Sequence, residues 1–220
     1  MMGLAELTLI QKIAVGALPV IFAITVHEFA HGWVASKFGD QSAKMLGRLT
    51  LNPIKHIDPI GTILVPIVLL IFTGFVFGWA KPVPVNASSF KSPRRDMAWV
   101  ALAGPVSNFL MAFAWAVVLK IGLLLQTSTP DIGLFLIYSG VIGVSINLIL
   151  AILNLLPIPP LDGSHIASAF LSKRLAWQFN RIAPYGFFLL IGLMLLGVLT
   201  PLIMEPLNMV KAFLFTIVGI

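Results

Sequence analysis

His27, Glu28 and His31 stand in the order His-Glu-Phe-Ala-His inside an apolar stretch, with Leu-Pro-Val-Ile-Phe-Ala-Ile-Thr-Val before it and Gly-Trp-Val-Ala after it. On a helix, two histidines four residues apart lie on one face, where both imidazoles can reach a single zinc ion. Glu28, about 100° round the helix, lies beside them and can hold a water next to that metal. The bare motif occurs by chance in soluble helices. Within a membrane helix, however, ionisable side chains are costly and call for a chemical reason. A divalent cation supplies one, because it binds neutral imidazoles and offsets the charge of a buried carboxylate.

A catalytic zinc site needs three protein ligands and one open position. The chain has no cysteine, so the third ligand must be His, Asp or Glu. Outside the motif the choice is Glu6, Asp40, Asp58, Asp96, Asp131, Asp162, Glu205, His56 and His165. Asp162 stands out because it follows Asn154-Leu-Leu-Pro-Ile-Pro-Pro-Leu, a helix end broken by three prolines, and precedes Gly163. Irregular backbone at membrane depth is tolerated only inside protein or beside a water-filled cavity. His165 is the rival ligand, its other reading being a helix-start residue at the interface. His56 reads as an exposed loop histidine.

The elements that must carry these residues are read from composition. With 59% hydrophobic and 10% charged residues among 220, and a mean hydropathy of +1.01, the chain is an integral membrane protein. No hydrophilic block is long enough for a separate soluble domain, so residues 1–220 are read as one membrane-embedded domain. The expected class is all-α and polytopic, with about five or six apolar segments. Residues 7–38, 97–125 and 131–156 are spans, and residues 185–199 are a further one that extends towards residue 204. Residues 60–77 are a marginal span interrupted by Pro66, and residues 208–220 are too short for a confident crossing. The first span, which carries the motif, is read as an uncleaved anchor. Residues 41–59 read as a turn-rich loop, and residues 162–184 as a short helix on the membrane surface.

The net charge of +6 is read as topology signalling in the bilayer, with no nucleic-acid partner. If residues 60–96 form a re-entrant, partly extended loop, Lys37, Lys44, Arg48, Lys55, Lys81, Lys91, Arg94 and Arg95 join Lys173, Arg174 and Arg181 on one face. That leaves Lys12, Lys120 and Lys211 on the other. This arrangement obeys the positive-inside rule and predicts a multi-pass protein of the cell membrane with its N-terminus outside. His27 and Asn108 then lie 11 residues, or ~16 Å, from the cytoplasmic ends of their helices. Asn154 can join them from the next helix. Both asparagines can instead be interhelical hydrogen-bonding groups, and Gly104 and Pro105 packing or kink residues. Residues 78–92 look extended because Pro82 and Pro84 bar a helix. Either they form a surface loop, or Lys81, Val83 and Val85 present a strand edge free to pair with a substrate.

His-Glu-Phe-Ala-His in the first span, Gly104-Pro-Val-Ser-Asn108 in a later one and Asn154-Leu-Leu-Pro-Ile-Pro-Pro-Leu-Asp162-Gly at the end of another resemble, in order and context, the site-2 protease family of intramembrane zinc metalloproteases. The sequences around residues 47–61 and 78–86 look like its short bacterial and archaeal branch, which lacks PDZ and CBS domains. The similarity covers residues 15–185. It implies one Zn²⁺ per chain, with His27, His31 and Asp162 as ligands and Glu28 as catalytic base. It also implies that Asn108 and Asn154 serve the oxyanion or the substrate, and leaves His165 open as an extra ligand. Its implied activity is peptide hydrolysis in or near transmembrane segments of membrane proteins, for regulated proteolysis or clearance of membrane remnants. The alternative from another class is a transporter or metal-binding protein whose buried His, Glu and Asp line an ion path.

Overall fold

The computed structural model describes residues 7–65, 67–68 and 78–220. The helices in chain order are α1 (Leu9–Lys37), the single turn α2 (Ser42–Met45), α3 (Pro93–Leu125), α4 (Pro130–Leu155), α5 (Asp162–Phe170), α6 (Lys173–Asn180), α7 (Gly186–Leu195) and α8 (Leu199–Val218). There is no β-strand among the described residues. Helices α1, α3, α4 and α8 are long and apolar enough to cross a membrane. The protein is an all-α polytopic membrane protein.

Local sequence sets the helix starts. Thr8 caps α1 by accepting the Gln11 N–H while Gln11 answers to the Thr8 backbone, a reciprocal capping box. Pro93 and Pro130 stand at the first positions of α3 and α4, where a missing N–H is harmless. Helices α3 and α4 pack closely because glycines face backbone across the contact. A Cβ on Gly140 would lie 2.7 Å from Leu119 Cβ, and one on Gly122 only 2.8 Å from the Ile137 nitrogen. Ala112, Ala116, Val144, Leu148 and Ile152 of these helices form the core with Leu207 and Leu214 of α8. Lipid-facing side chains such as Ile10, Phe22, Leu110 and Phe213 remain exposed, as the bilayer requires no further cover.

The last crossing differs from the expected residues 185–199. Helix α7 ends at Leu195, and Gly197 adopts φ +71°, which breaks the apolar run; the 20-residue α8 then begins at Leu199. Pro201 sits in the first turn of α8, where it removes no intrahelical bond. Residues 208–220 are thus the second half of a span rather than a separate short segment. Lys120 of α3 donates to the Gly219 carbonyl, so the C-terminal end of α8 lies beside the C-terminal end of α3. Residues 162–184 form two helices, α5 and α6, separated at Leu171 and Ser172.

Ten residues of the expected re-entrant segment 60–96, namely 66 and 69–77, lie outside the described residues, but the chain on either side of them is visible. The Trp79 N–H donates to the Gly61 carbonyl (3.0 Å), and the Thr62 hydroxyl donates to the Trp79 carbonyl (2.9 Å). Residues 61 and 62 therefore lie directly beside residue 79. From there residues 79–86 run as an extended strap fastened across the end of α1. Lys81 N–H donates to the His56 carbonyl, Arg48 donates to the Lys81 carbonyl, and Asn86 N–H donates to Asp40 Oδ2. Burial disfavours the Asp40 charge, but hydrogen bonds from Ser42 and the Asn86 N–H outweigh it and hold the carboxyl below its ordinary range.

Candidate metal centre

Helices α1 and α3 run antiparallel with residues 23, 27 and 31 of one facing residues 108, 104 and 100 of the other. Both series have the four-residue spacing that keeps them on one helix face. His31 Nδ1 lies 2.7 Å from the Val100 carbonyl, which can only accept, so Nδ1 carries a proton, and in the neutral ring Nε2 holds the free lone pair. His27 Nδ1 lies 2.6 Å from Asn108 Oδ1, with the same consequence for its Nε2. Gly104 lies between these two contacts, against both rings. A Cβ there would stand 2.5 Å from His31 Nε2 and 2.6 Å from His27 Cε1. Gly104→Ala is accordingly expected to displace one or both imidazoles and lower zinc affinity by at least tenfold, measured by chelator competition, while helix content is unchanged. The role of Gly104 as a mere packing residue is thereby replaced by a specific one: no other side chain leaves room for the histidines.

Asp162 reaches the same point from the first turn of α5. The proline-broken turn brings α5 back against the end of α4, where a Cβ on Gly163 would meet the Leu155 and Leu156 carbonyls at 2.3 and 2.4 Å. Asp162 Oδ2 lies 3.2 Å from His27 Nε2 and 3.3 Å from His31 Nε2, and the two Nε2 atoms are 3.0 Å apart. With both imidazoles neutral, three acceptor atoms face one another here, and Asp162 Oδ2 is buried without a donor. Such a triangle fits a cation. Zinc–ligand bonds of ~2.0–2.1 Å in tetrahedral geometry put ligand atoms ~3.3 Å apart, close to these three separations. His27, His31 and Asp162 also form the one group of three or more metal-ligating side chains found among the described residues.

Glu28 stands beside this triangle, partly exposed, with Oε2 accepting the Val83 N–H at 2.8 Å. The Val83 side chain is buried on α1, within 3.0 Å of where a Gly32 Cβ would be. At Lys81 and Val83 the segment is therefore not a free strand edge, and of the two alternatives left open by the sequence it is the loop. The N–H groups of Lys81 and Val83 are already engaged by His56 and Glu28, and the segment is not a strand.

Asn108 also departs from the expected role at an oxyanion. Its two N–H groups donate to the Ala23 carbonyl (3.1 Å) and Asn147 Oδ1 (2.8 Å), its oxygen faces His27, and the side chain is fully buried. No donor remains for substrate. Asn154 donates to the Leu150 carbonyl one turn back and is half-buried, outside this chain of contacts. His165 is not one of the three converging residues. It lines a separate cavity with Arg94, Met97 and Asn180, where burial pushes its imidazole below the ordinary value against the pull of Asp162. His56, expected to be exposed, is buried with Nε2 on the Thr50 carbonyl at 2.9 Å, because the strap closes over it. The sequence reading missed Asn147. Its signal was a polar residue seven positions before Asn154 in a helix of otherwise apolar character.

The sequence pattern of peptidase family M50 matches residues 121–196. The chain is 42% identical over 178 residues to YwhC of Bacillus subtilis, with 77% of this chain and 75% of YwhC covered. It is 29% identical over 176 residues to Rip2 of Mycolicibacterium smegmatis, with 80% of this chain and 64% of Rip2 covered. Over 67 residues it is 40% identical to MJ0611 of Methanocaldococcus jannaschii. All three are named as candidate zinc metalloproteases. No solved structure matches the chain.

Proposed function

Since the chain belongs to peptidase family M50 and is a metalloprotease, we propose that it is an intramembrane endopeptidase. It would carry one zinc per chain, held by His27, His31 and Asp162, and cut peptide bonds in or near transmembrane segments of membrane proteins. The observation that carries this reading is the buried triangle of two imidazole nitrogens and one carboxylate oxygen, which has no donor of its own. A bound zinc ion supplies Lewis acidity and eases the loss of a proton from water. Glu28 takes that proton as the water oxygen adds to the peptide carbonyl carbon, then delivers it to the departing nitrogen as the C–N bond breaks. A transmembrane helix keeps its peptide groups paired, so a substrate must unwind locally before it can lie along residues 81–85. There its carbonyl takes the Val83 N–H from Glu28, an exchange that frees the base as the substrate arrives.

The face with Arg48, Lys55, Arg94, Arg95, Lys173 and Arg174 is proposed to be cytoplasmic, in the cell membrane, with the site nearer that side. The Lys120 contact with Gly219 supports it, because it groups the far ends of α3 and α8 on the side that holds few basic residues. The deciding experiment presents a panel of transmembrane peptides in proteoliposomes to the purified protein. Cleavage is expected to stop on chelation and return with zinc, and Val83→Pro is expected to reduce it while zinc content stays at one per chain. Zinc-loaded protein that cuts no peptide but passes ions would favour the ion-path reading. Undiminished cleavage by Val83→Pro would remove the strap from the mechanism.

A further inference from the structure

Asn147 of α4 lies fully buried, and its two polar atoms point in a fixed order. Its amide donates to the Gly143 carbonyl at 2.9 Å, and a carbonyl can only accept, so the Asn147 oxygen is the atom turned towards Asn108. That oxygen takes one N–H of Asn108 at 2.8 Å, and the Ala23 carbonyl of α1 takes the other at 3.1 Å. With both N–H groups committed, the only atom Asn108 can turn towards His27 is Oδ1, at 2.6 Å from Nδ1. The result is a directed series, Gly143 to Asn147 to Asn108 to His27, in which each acceptor fixes the orientation of the next group. It crosses α4, α3 and α1, and it ends by placing the proton of His27 on Nδ1 and the lone pair on Nε2, which faces His31 and Asp162.

We propose that Asn147 is a positioning residue of the metal centre: acting through Asn108, it fixes the tautomer and ring orientation of His27. This inference rests on the reading of His27 as a zinc ligand. The physical reason is that a buried N–H without an acceptor is unfavourable, so removing the Asn147 oxygen lets the Asn108 amide turn away in search of one. His27 then loses its acceptor and points its lone pair less well. Groups that orient ligating histidines typically alter metal affinity by about 10–100-fold. Asn147 is one step further back, so the lower end, about tenfold, is expected.

Asn147→Leu keeps the branched shape of the side chain and has no acceptor. Zinc affinity is measured by chelator competition on the detergent-purified protein, for wild type, Asn147→Leu, Asn108→Leu and the double variant. Circular dichroism and thermal unfolding of the zinc-free forms are recorded alongside. The expected result is a tenfold loss for Asn147→Leu in the wild-type background and none in the Asn108→Leu background, because without Asn108 there is nothing for Asn147 to orient. Asn147→Ala carries the same comparison if leucine prevents folding. An affinity unchanged within twofold overturns the proposal, and so does an equal loss in both backgrounds, which is what a packing defect would give. A wild type that binds no zinc overturns the metal reading itself, whereas normal binding by wild type and Asn147→Leu alike overturns this inference alone.

Discussion

Glu28→Gln is expected to lower peptide hydrolysis by about 10²–10⁴-fold while leaving one zinc in place, because a positioned acid–base group contributes about that much to a rate. The substitution is unusually clean at this site. Glu28 is not one of the three converging groups, so the ligand triangle is untouched. The glutamine oxygen can still accept the Val83 N–H that Glu28 Oε2 accepts now, so the strap remains fastened to α1. What disappears is the capacity to take a proton from water and return it to the leaving nitrogen. Steady-state cleavage of a membrane peptide, with zinc content measured on the same preparation, checks both halves. If activity survives within a fewfold, the base lies elsewhere and the assignment of Glu28 fails. An ion-path protein would show no cleavage in either form, and its flux rather than its hydrolysis would respond.

The reading of chain organisation was most accurate where long apolar runs are uninterrupted. Helices α3 and α4 begin within four residues of the expected starts, because hydrophobic length and terminal prolines are local properties. The last span was misplaced because a left-handed glycine divides an apolar run without altering its hydropathy. The residue types of the metal site were legible for a similar reason: polar groups are conspicuous in apolar helices. Their partners were not. Nothing in the sequence says that both donors of Asn108 are consumed by Ala23 and Asn147, or that Val83 gives its N–H to Glu28. Those facts depend on how α3 packs against α1 and α4 and on how the strap lies along α1, contacts between residues at least 39 apart in sequence. The same applies to Gly104. Its need follows from two imidazoles on another helix.

Asp162→Asn is expected to cost most of the zinc affinity, about 10²–10³-fold, and the hydrolytic activity with it. Structural zinc sites with four ligands bind with about 10–16 kcal/mol, or about 2.5–4 kcal/mol per ligand, and Asp162 is one of only three protein ligands here. Asparagine keeps the shape at the start of α5 but removes the negative charge facing both Nε2 atoms. The contact can also be read without a metal, as a carboxylate paired with protonated histidines, and the two readings separate in thermal unfolding. If Asp162 is a ligand, added zinc stabilises wild type by an amount that grows with concentration above the dissociation constant, and this increment is lost in Asp162→Asn. If the pair is purely ionic, zinc changes the unfolding of neither form, and Asp162→Asn is less stable by the same amount at every zinc concentration. The geometry favours the first outcome. The three ligand atoms stand 3.0–3.3 Å apart, close to the ~3.3 Å between donors on one tetrahedral zinc ion. Val100 and Asn108 each accept from one Nδ1, which leaves both Nε2 atoms aimed at Asp162 and able to bind a cation when the imidazoles are neutral.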